Sequence, residues 1–382
     1  MEPSTVQLTP IIQRALDEDL GDGDVTTLCT IPEDATLTGR FIAKADGIIA
    51  GLEVARLTFA LIDERVRVDF TIRDGDPVTK GQAFGTVNGP TRALLSGERT
   101  ALNFLQRMSG IATLTHQFVE AVKFSQALIL DTRKTAPGLR TIDKWAVSLG
   151  GGQNHRYGLF DMVLIKDNHI SAVGSITEAV ERVRLLDEQY RPIEVEVKNL
   201  NELQEALVAK VDRIMLDNMS LAQMREAVKI TAGRMPLEAS GNVSLENVAE
   251  IGATGVAYIS VGALTHSLRA LDISLKLFSS DEWLTHLRQK LSGLLEDLKS
   301  ATQELTTIIS VLESLLDWAN QASPDYAQYS KQFSGFGKIL WDDVEFSESD
   351  LGQRCWEIIH LIHDHMTQTT LKSGITNPIR GS

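Results

Sequence analysis

The sequence predicts an α/β protein whose central part is a parallel barrel, closed or nearly closed, and whose last quarter is a separate helical module. Three observations lead to this class. Short apolar runs recur between residues 127 and 261, and helical patterns follow them. From Glu196 onward the polar residues that end these runs recur about every 20–25 positions, the length of a strand–helix unit with short loops. The composition then changes near Ser279–Ser280.

Composition excludes several classes of protein. The chain has 382 residues, of which 43% are hydrophobic and 23% charged, as in a globular protein of two or three domains. A net charge of −14 argues against general nucleic-acid binding. No apolar run is long enough to cross a membrane, and the acidic start of the chain lacks the apolar core of a secretory signal. Two lone cysteines, Cys29 and Cys355, are typical of a reducing compartment, so we expect a cytoplasmic protein.

The first hundred residues predict a short helix, a β-rich region and a longer helix. The first helix is expected over Pro10 to Leu20, with Thr9 as its cap. Short β-rich pieces then alternate with turns, and they cover residues 37–44, 66–72 and 82–87. A helical stretch follows from Ala93 to about Phe124.

Six apolar runs then predict parallel strands. They are Ala127–Asp131, Met162–Lys166, Ile193–Val197, Arg213–Asp217, Leu237–Ser240 and Ala257–Val261. Serial strand–helix units without a Rossmann glycine motif favour a barrel, and a doubly wound open sheet is the alternative. In a barrel the functional groups lie at the carboxyl ends of the strands.

The C-terminal extension differs from the rest of the chain. Residues 280–382 hold eight Lys/Arg against fifteen Asp/Glu, half of the net charge, and four of the five tryptophans. Apolar residues from Leu291 to Ala319 follow a heptad spacing that predicts a long amphipathic helix, which Pro324 ends. A second helix is expected from Ser347, so the extension would form a helical hairpin or small bundle.

Five basic residues follow the first two predicted barrel strands. They are Arg133, Lys134, His155, Arg156 and Lys166. Guanidinium groups suit carboxylates and phosphates, which accept paired hydrogen bonds. A solvated surface is the alternative for any one cation, but five at strand ends of an acidic protein indicate an anionic ligand.

Acidic and small residues close the later strands. Glu196 and Asp217 could hold ribose hydroxyls or, through water, a Mg²⁺ ion, and charge balance for the lysines is the alternative. Ser240–Asn242 and Ser260–Ala263 are small enough for backbone amides to approach a phosphate. The residues alone therefore predict a barrel enzyme that handles a phosphosugar, without specifying its reaction.

Residues 1–279 also resemble the quinolinate phosphoribosyltransferases, or nicotinate-nucleotide pyrophosphorylases (carboxylating). The resemblance is carried by ordered motifs along this whole region. They are Glu18–Gly21, Asp24–Thr27, Ser96–Asn103, Ser109–Thr113, Asp131–Arg140, Asp143–Lys144, Gly150–Gly152, Asn154–Arg156, Leu164–His169, Glu194–Val197, Met215–Asn218, Glu238–Asn242 and Val261–His266.

The resemblance implies a fold and a reaction. An α/β sandwich domain over residues 1–110, with a return segment at about 268–279, would precede an incomplete, TIM-like α/β barrel over 111–267, leaving 280–382 as an extension of unknown role. The reaction would join quinolinate to phosphoribosyl pyrophosphate with Mg²⁺ and yield nicotinate mononucleotide, CO₂ and pyrophosphate, on the de novo route to NAD. The subunits would pair as a homodimer in which Arg99 reaches the neighbouring site.

The resemblance also implies roles for individual residues. Lys134, Lys166, Glu196 and Asp217 would be catalytic, and Glu196 and Asp217 would hold the metal through its water shell. The substrate-binding residues would be Arg99, Thr132, Arg133, Lys134, His155, Arg156, Lys166, Glu196, Asp217, Ser240, Gly241, Asn242, Ser260, Val261 and Gly262. Two alternatives remain open: a paralogue with a different anionic acceptor, and a non-catalytic scaffold whose C-terminal extension binds a protein partner.

Overall fold

The computed structural model describes residues 2–278 and 289–293, together with Glu313 and Asp317. The first region combines helices with short strands and ends in a helix of 31 residues. Its elements are α1 (Thr5–Leu20), α2 (Val25–Thr30), β1 (Thr36–Ala43), β2 (Gly47–Ile48), α3 (Leu52–Ile62), β3 (Arg67–Phe70), β4 (Pro77–Val78), β5 (Ala83–Pro90) and α4 (Thr91–Ala121). The β-rich pieces expected from the sequence coincide with β1, β3 and β5.

Helix α1 begins earlier than the sequence predicted. We expected Thr9 to cap a helix starting at Pro10, but the helix starts at Thr5 and contains Pro10. The amide of Ser4 donates to the side chain of Gln7 at 3.0 Å, which helps to cap the observed start. The prediction was wrong because proline was taken to mark the first helical turn, whereas tertiary burial of Leu8 extends the helix past it.

The second region alternates strands and helices as predicted. Its elements are β6 (Leu128–Leu130), α5 (Arg140–Leu149), β7 (Val163–Ile165), α6 (Asp167–Val173), α7 (Ile176–Leu186), β8 (Ile193–Val197), α8 (Leu200–Val208), β9 (Arg213–Asp217), α9 (Leu221–Thr231), β10 (Leu237–Ser240), α10 (Val248–Gly252), β11 (Tyr258–Ser260) and α11 (Ala263–His266). The last strand, β12 (Ile273–Phe278), returns to the N-terminal sheet, whose order is β12-β1-β5-β3.

Strand order decides between a barrel and an open doubly wound sheet. The six parallel strands have the order β6-β11-β10-β9-β8-β7, so the first strand pairs with the last. This is the circular order of a barrel with one pairing missing, between β6 and β7. A doubly wound sheet instead reverses its strand order at an internal switch point. The α/β class and the incomplete barrel are therefore confirmed.

A loop residue lies along the open edge of the barrel. Gln153 forms a single parallel bridge with Leu130 of β6, and its amide donates to the carbonyl of Ile129 at 2.8 Å. Because the strands are parallel, their carboxyl ends meet at one rim. The residues that follow β6 and Gln153 reach this same rim.

Alternation along the strands separates the barrel interior into layers. Glu194 and Glu196 lie two positions apart on β8, so their side chains share one face of the strand, and Glu238 and Ser240 have the same relation on β10. Glu194 and Glu238 are fully buried, whereas Glu196 and Ser240 are half-buried at the rim. The barrel therefore places polar groups in two successive layers.

The described chain divides into two compact units. One comprises the described residues up to Glu33, Arg40–Gly85 and Thr91–Leu275, and the other takes Asp34–Gly39, Thr86–Pro90 and the described residues after Leu275. Almost all of the helices predicted for 280–382 lie outside the described residues, so the all-α extension stays a prediction. Within the described part, no helix is long and apolar enough to cross a bilayer.

Candidate functional site

A cavity of about 740 Å³ opens at the carboxyl ends of the barrel strands. It takes residues from every strand end and from the loops that follow β6 and Gln153. Its lining is Thr132, Arg133, Lys134, His155, Arg156, Leu164, Lys166, Glu196, Met215, Asp217, Asn218, Ser240, Gly241, Asn242, Val243, Ser260, Gly262, Ala263 and His266. All the site residues expected from the sequence lie here except Arg99 and Val261.

Cations supplied by two loops form one wall of the cavity. Arg133 and Lys134 follow β6, and His155 and Arg156 follow Gln153. The Nε of Arg133 is buried without a hydrogen-bond partner among the described residues. Burial, and then the charge of Arg133, lowers the pKa of Arg156. Crowded guanidinium groups with unused donors indicate a place for a multiply charged anion.

Carboxylates follow β8 and β9 at the same rim. Glu196 pairs with Lys166, whose Nζ lies 3.2 Å from its Oε2. Asp217 accepts a hydrogen bond from Nδ2 of Asn218 at 2.9 Å, and Asn242 donates to Oδ1 of Asn218 at 3.0 Å. The network links the ends of β9 and β10. No role was predicted for Asn218 from the sequence, although it directly follows Asp217, a predicted site residue at a strand end.

The loop after β10 requires glycine at position 241. Gly241 has a φ of +100°, a region that side-chain-bearing residues rarely adopt. A Cβ built there would lie 2.2 Å from Oδ1 of Asn218. The loop can therefore approach both the cavity and Asn218 only because residue 241 has no side chain.

A buried charge cluster lies directly beneath the cavity. Nε2 of His155 lies 3.0 Å from Oε2 of Glu194 and 3.5 Å from Oε2 of Glu238. Arg213 contacts Glu238 at 3.0 Å, and Ser260 donates to the other oxygen of Glu238. The amide of Arg156 donates to Nδ1 of His155 at 2.7 Å, which orients the ring with its Nε2 towards the carboxylates.

The groups of this cluster titrate together. Burial disfavours a charged ring, but Glu194 and Glu238 outweigh burial and raise the pKa of His155 to about 9. Burial also raises the pKa of Glu194 to about 7, although His155 opposes that shift. Nδ1 accepts the amide of Arg156, so in this geometry the ring carries one proton, on Nε2, and a second ring proton at Nδ1 would replace that hydrogen bond.

Two sets of residues could hold a metal ion. His155, Glu194 and Glu238 offer ligand atoms within 4.8 Å of one another, but Arg213 and Ser260 already engage both oxygens of Glu238. Glu196 and Asp217 lie on adjacent strands at the open rim, and carboxylates that keep waters between themselves and the ion suit Mg²⁺. The rim carboxylates therefore fit a hydrated Mg²⁺ better than the buried cluster does.

Arg99 and Val261 lie away from the cavity. Arg99 is exposed on α4 and does not line the cavity of its own chain. Val261 is buried, and its amide donates to the carbonyl of Leu130 at 2.9 Å instead of facing a ligand. No role was predicted from the sequence for His266, which lines the cavity, or for the buried residues Glu194 and Glu238. The two-residue spacing of the acids on β8 was a signal that a second, deeper layer existed.

Two family models and several named proteins are similar to this chain. The chain matches the family model "Quinolinate phosphoribosyl transferase, N-terminal domain" over residues 24–109 and the corresponding C-terminal domain model over residues 111–276. It is 50% identical over 292 residues to "Quinolinate phosphoribosyltransferase [decarboxylating] 1b" of Nicotiana tabacum, which covers 72% of this chain and 83% of that protein. A probable nicotinate-nucleotide pyrophosphorylase [carboxylating] of Bacillus subtilis is 43% identical over 277 residues, covering 72% and 96%.

Solved structures agree with the sequence relatives. NadC from Streptococcus pyogenes superposes with a TM-score of 0.70 at 39% identity, covering 73% of this chain and all of that one. The nicotinate-nucleotide pyrophosphorylase from Francisella tularensis has a TM-score of 0.70 at 38% identity, covering 72% and 98%. Since both family models match in chain order and together span most of the barrel and its N-terminal region, the chain belongs to the quinolinate phosphoribosyltransferase family.

Proposed function

We propose that the rim cavity is the active site in which this chain carries out the family's reaction, the transfer of phosphoribose to quinolinate with loss of CO₂. One observation carries the proposal: cations from two loops converge on one wall of the cavity, where Nε of Arg133 is buried without a hydrogen-bond partner among the described residues, and the other strand ends supply Glu196 and Asp217. The cations suit a dianionic acceptor, and the carboxylates suit the hydroxyls of a phosphorylated sugar.

The cationic wall would bind quinolinate. Arg133 and Arg156, with Lys134, would hold its two carboxylates, and the guanidinium groups can bind them in bidentate fashion. This would orient the pyridine nitrogen towards the ribose. Nδ1 of His155 accepts the amide of Arg156 and Nε2 lies 3.0 Å from Oε2 of Glu194, away from the ligand, so the contribution of His155 would be to orient the Arg156 backbone.

The remaining strand ends would bind phosphoribosyl pyrophosphate. Lys134 and Lys166 would contact the pyrophosphate, and Glu196 and Asp217 the ribose hydroxyls. The loops Ser240–Asn242 and Ser260–Gly262, with Thr132, would take the 5′-phosphate. Within the second loop the structure favours Ser260 and Gly262, because the amide of Val261 is already used by Leu130.

The chain would act mainly by positioning and charge stabilisation. The nitrogen–carbon bond forms at the anomeric carbon as the bond to pyrophosphate breaks, through a transition state with oxocarbenium character. Carboxylates near the ribose stabilise that positive charge, while the lysines hold the departing pyrophosphate. The alkylated nitrogen then stabilises the electron pair left on the ring when the adjacent carboxylate leaves as CO₂, and that carbon takes up a proton.

We propose Mg²⁺ as the metal, held through water by Glu196 and Asp217. When bound, it would neutralise part of the pyrophosphate charge. Lys166 already pairs with Glu196 at 3.2 Å, so the lysine and the metal would share that carboxylate when the substrate is present.

We further propose that the subunits form a homodimer that completes each site with Arg99 from the second copy. The exposed position of Arg99 on α4, away from its own cavity, supports this arrangement. The extension 280–382 remains a candidate module for oligomerisation or for binding a protein partner.

A cytoplasmic location is proposed from the cysteine content, since Cys29 is an exposed free thiol. Relatives in Nicotiana and Arabidopsis carry mitochondrial and chloroplastic in their names. Fractionation of the source cells tests the proposal, and enrichment of the protein in an organelle fraction would contradict it.

A turnover assay tests the proposed function. Purified protein is incubated with quinolinate, phosphoribosyl pyrophosphate and Mg²⁺, and nicotinate mononucleotide is followed by chromatography. We expect product that disappears when Mg²⁺ is removed. A parallel reaction with nicotinate tests the acceptor, since a site built for a dianion should strongly prefer quinolinate. Efficient use of nicotinate would overturn the assignment of the cationic wall.

A further inference from the structure

A buried ion pair lies behind the cationic wall without lining the cavity. Asp131 directly follows β6 and Lys144 lies on α5, and both side chains are almost completely buried. Nζ of Lys144 lies 2.5 Å from Oδ1 of Asp131. The family motifs include both residues, but the proposed reaction gives neither of them a role.

The pair holds the backbone of His155 from both sides. Oδ1 of Asp131 accepts the amide of His155 at 2.8 Å, and Nζ of Lys144 donates to the carbonyl of the same residue at 3.0 Å. Nδ2 of Asn154 donates to Oδ2 of Asp131 and to the carbonyl of Lys144, both at 2.8 Å. These four hydrogen bonds and the Asp131–Lys144 ion pair form what we call the His155 clamp.

Outside the clamp, the segment is held mainly through its side chains, since His155 contacts Glu194 and Glu238 and Arg156 donates to the carbonyl of Met162. Residues 154–156 belong to no helix or strand, and the nearest sheet contact is the single bridge of Gln153. The segment nevertheless carries two of the cationic side chains that face the cavity. The position of the His155 backbone, as distinct from its ring, is set by the side-chain contacts from Asp131 and Lys144.

Burying this pair is unfavourable for both of its charges. Burial raises the pKa of Asp131 and lowers that of Lys144, although each partner opposes the shift of the other. Buried ion pairs often add little stability compared with neutral groups of similar volume. The backbone contacts that the pair makes therefore point to a geometric role rather than to a gain in stability.

We propose that Asp131 and Lys144 are positioning residues that set the affinity of the site for the dianionic acceptor by fixing the backbone of His155 and Arg156. The proposal rests on the proposed role of those two residues in quinolinate binding. The groups assigned to phosphoribosyl pyrophosphate lie mainly at the ends of β7–β11, which sheet pairing holds independently of the clamp.

Kinetics of a charge-free clamp test the proposal. The double variant Asp131→Asn/Lys144→Met leaves no uncompensated buried charge, so it should fold. We expect the KM for quinolinate to rise about tenfold or more, because a small misplacement of binding groups is costly. The KM for phosphoribosyl pyrophosphate should rise less, because only Thr132 and Lys134 among its proposed ligands adjoin Asp131, and amide exchange at His155 and Arg156 should accelerate. An unchanged quinolinate KM, or an equal rise in both KM values, would overturn the proposal.

Two further variants keep the result interpretable. Asn154→Ala removes two clamp contacts without altering a charge, and it should also raise the quinolinate KM. It provides the test if the double variant does not fold. Val180→Ala, in the buried face of α7, supplies a comparably destabilised protein in which both KM values should be unchanged.

A third variant separates the clamp from the function on which it rests. If Arg156→Ala leaves quinolinate binding intact by calorimetry, the proposed acceptor site is wrong. If Arg156→Ala abolishes that binding while the clamp variants retain it, the clamp proposal alone is wrong.

Discussion

Single residues at the rim have distinct expected roles, and the arginines give the clearest test. Replacing Arg133 or Arg156 with alanine should raise the KM for quinolinate about 10–100-fold, because charge-assisted hydrogen bonds contribute roughly 1.5–3 kcal/mol each. Lysine at position 156 keeps the charge but loses the bidentate geometry, so it should recover only part of the affinity. Steady-state kinetics that match the unsubstituted enzyme in either alanine variant would contradict these roles.

The buried cluster under the cavity predicts how stability changes with pH. Two of its groups hold protons more tightly when folded: the pKa of His155 is raised from 6.5 to about 9 and that of Glu194 from 4.5 to about 7, whereas hydrogen bonding and the charge of His155 lower the pKa of Glu238. Stability from His155 is therefore fully present below pH 6.5 and lost as the pH rises through 9.

Urea unfolding at a series of pH values measures this dependence. The free energy of unfolding should fall between pH 6.5 and pH 9. Glu194→Gln, which removes one carboxylate that favours protonation of the ring, should shift the fall to lower pH. A profile that is flat in this interval, or the same in both proteins, would show that the cluster does not bind the extra proton.

Gly241 gives a third test at the residue scale, and Gly174 is its matched control. Both have positive φ, at +100° and +114°, but a Cβ at Gly174 meets nothing within 4 Å. Gly174→Ala should cost about 1 kcal/mol of stability through backbone strain alone. Gly241→Ala should add a clash with Asn218 and raise the KM for phosphoribosyl pyrophosphate. Equal stability losses and equal KM values in the two variants would contradict the assigned role of the loop.

At the scale of elements, the strands were more predictable than the helix ends. Runs such as Ile193–Val197 and Arg213–Asp217 were located to the residue, because a buried parallel strand is a short apolar segment bounded by polar residues. Helix α1 was misjudged at its start, since local capping preferences competed with burial of Leu8. Helix α3 was not anticipated between the β-rich pieces.

At the scale of the whole molecule, the proposed shared site predicts complementation between inactive subunits. Arg99→Ala and Arg133→Ala should each impair the enzyme. When the two variants are mixed, dissociated and reassociated, mixed dimers contain one intact site, so about a quarter of the original activity should return. Failure to recover activity from dimers that demonstrably exchange subunits would show that Arg99 acts within its own chain.

The extension gives a second test of the whole molecule. All lining residues of the cavity lie between Thr132 and His266, and NadC from Streptococcus pyogenes aligns over its whole length with 73% of this chain. Deletion of residues 281–382 should therefore leave turnover unchanged while altering mass or partner binding in solution. Loss of both turnover and solubility would instead indicate that the extension stabilises the core.

The sequence by itself determined the α/β class, the serial strands and most of the rim. Strand ends are local features, and parallel strands bring their carboxyl ends to one rim, so Arg133, Lys166, Glu196 and Asp217 could be grouped without coordinates. The family motifs added the reaction, which composition and spacing had left open.

Only the tertiary structure decided which strand pairs were formed and what lies beneath the rim. The pairing of β6 with β11, the Asp131–Lys144 pair and the contact of His155 with Glu194 each join residues far apart in sequence. Such contacts depend on the curvature of the barrel and on which side chains become neighbours in its interior. Local sequence patterns do not determine the distances between residues far apart in the chain, so the clamp and the buried cluster could be identified only from the folded structure.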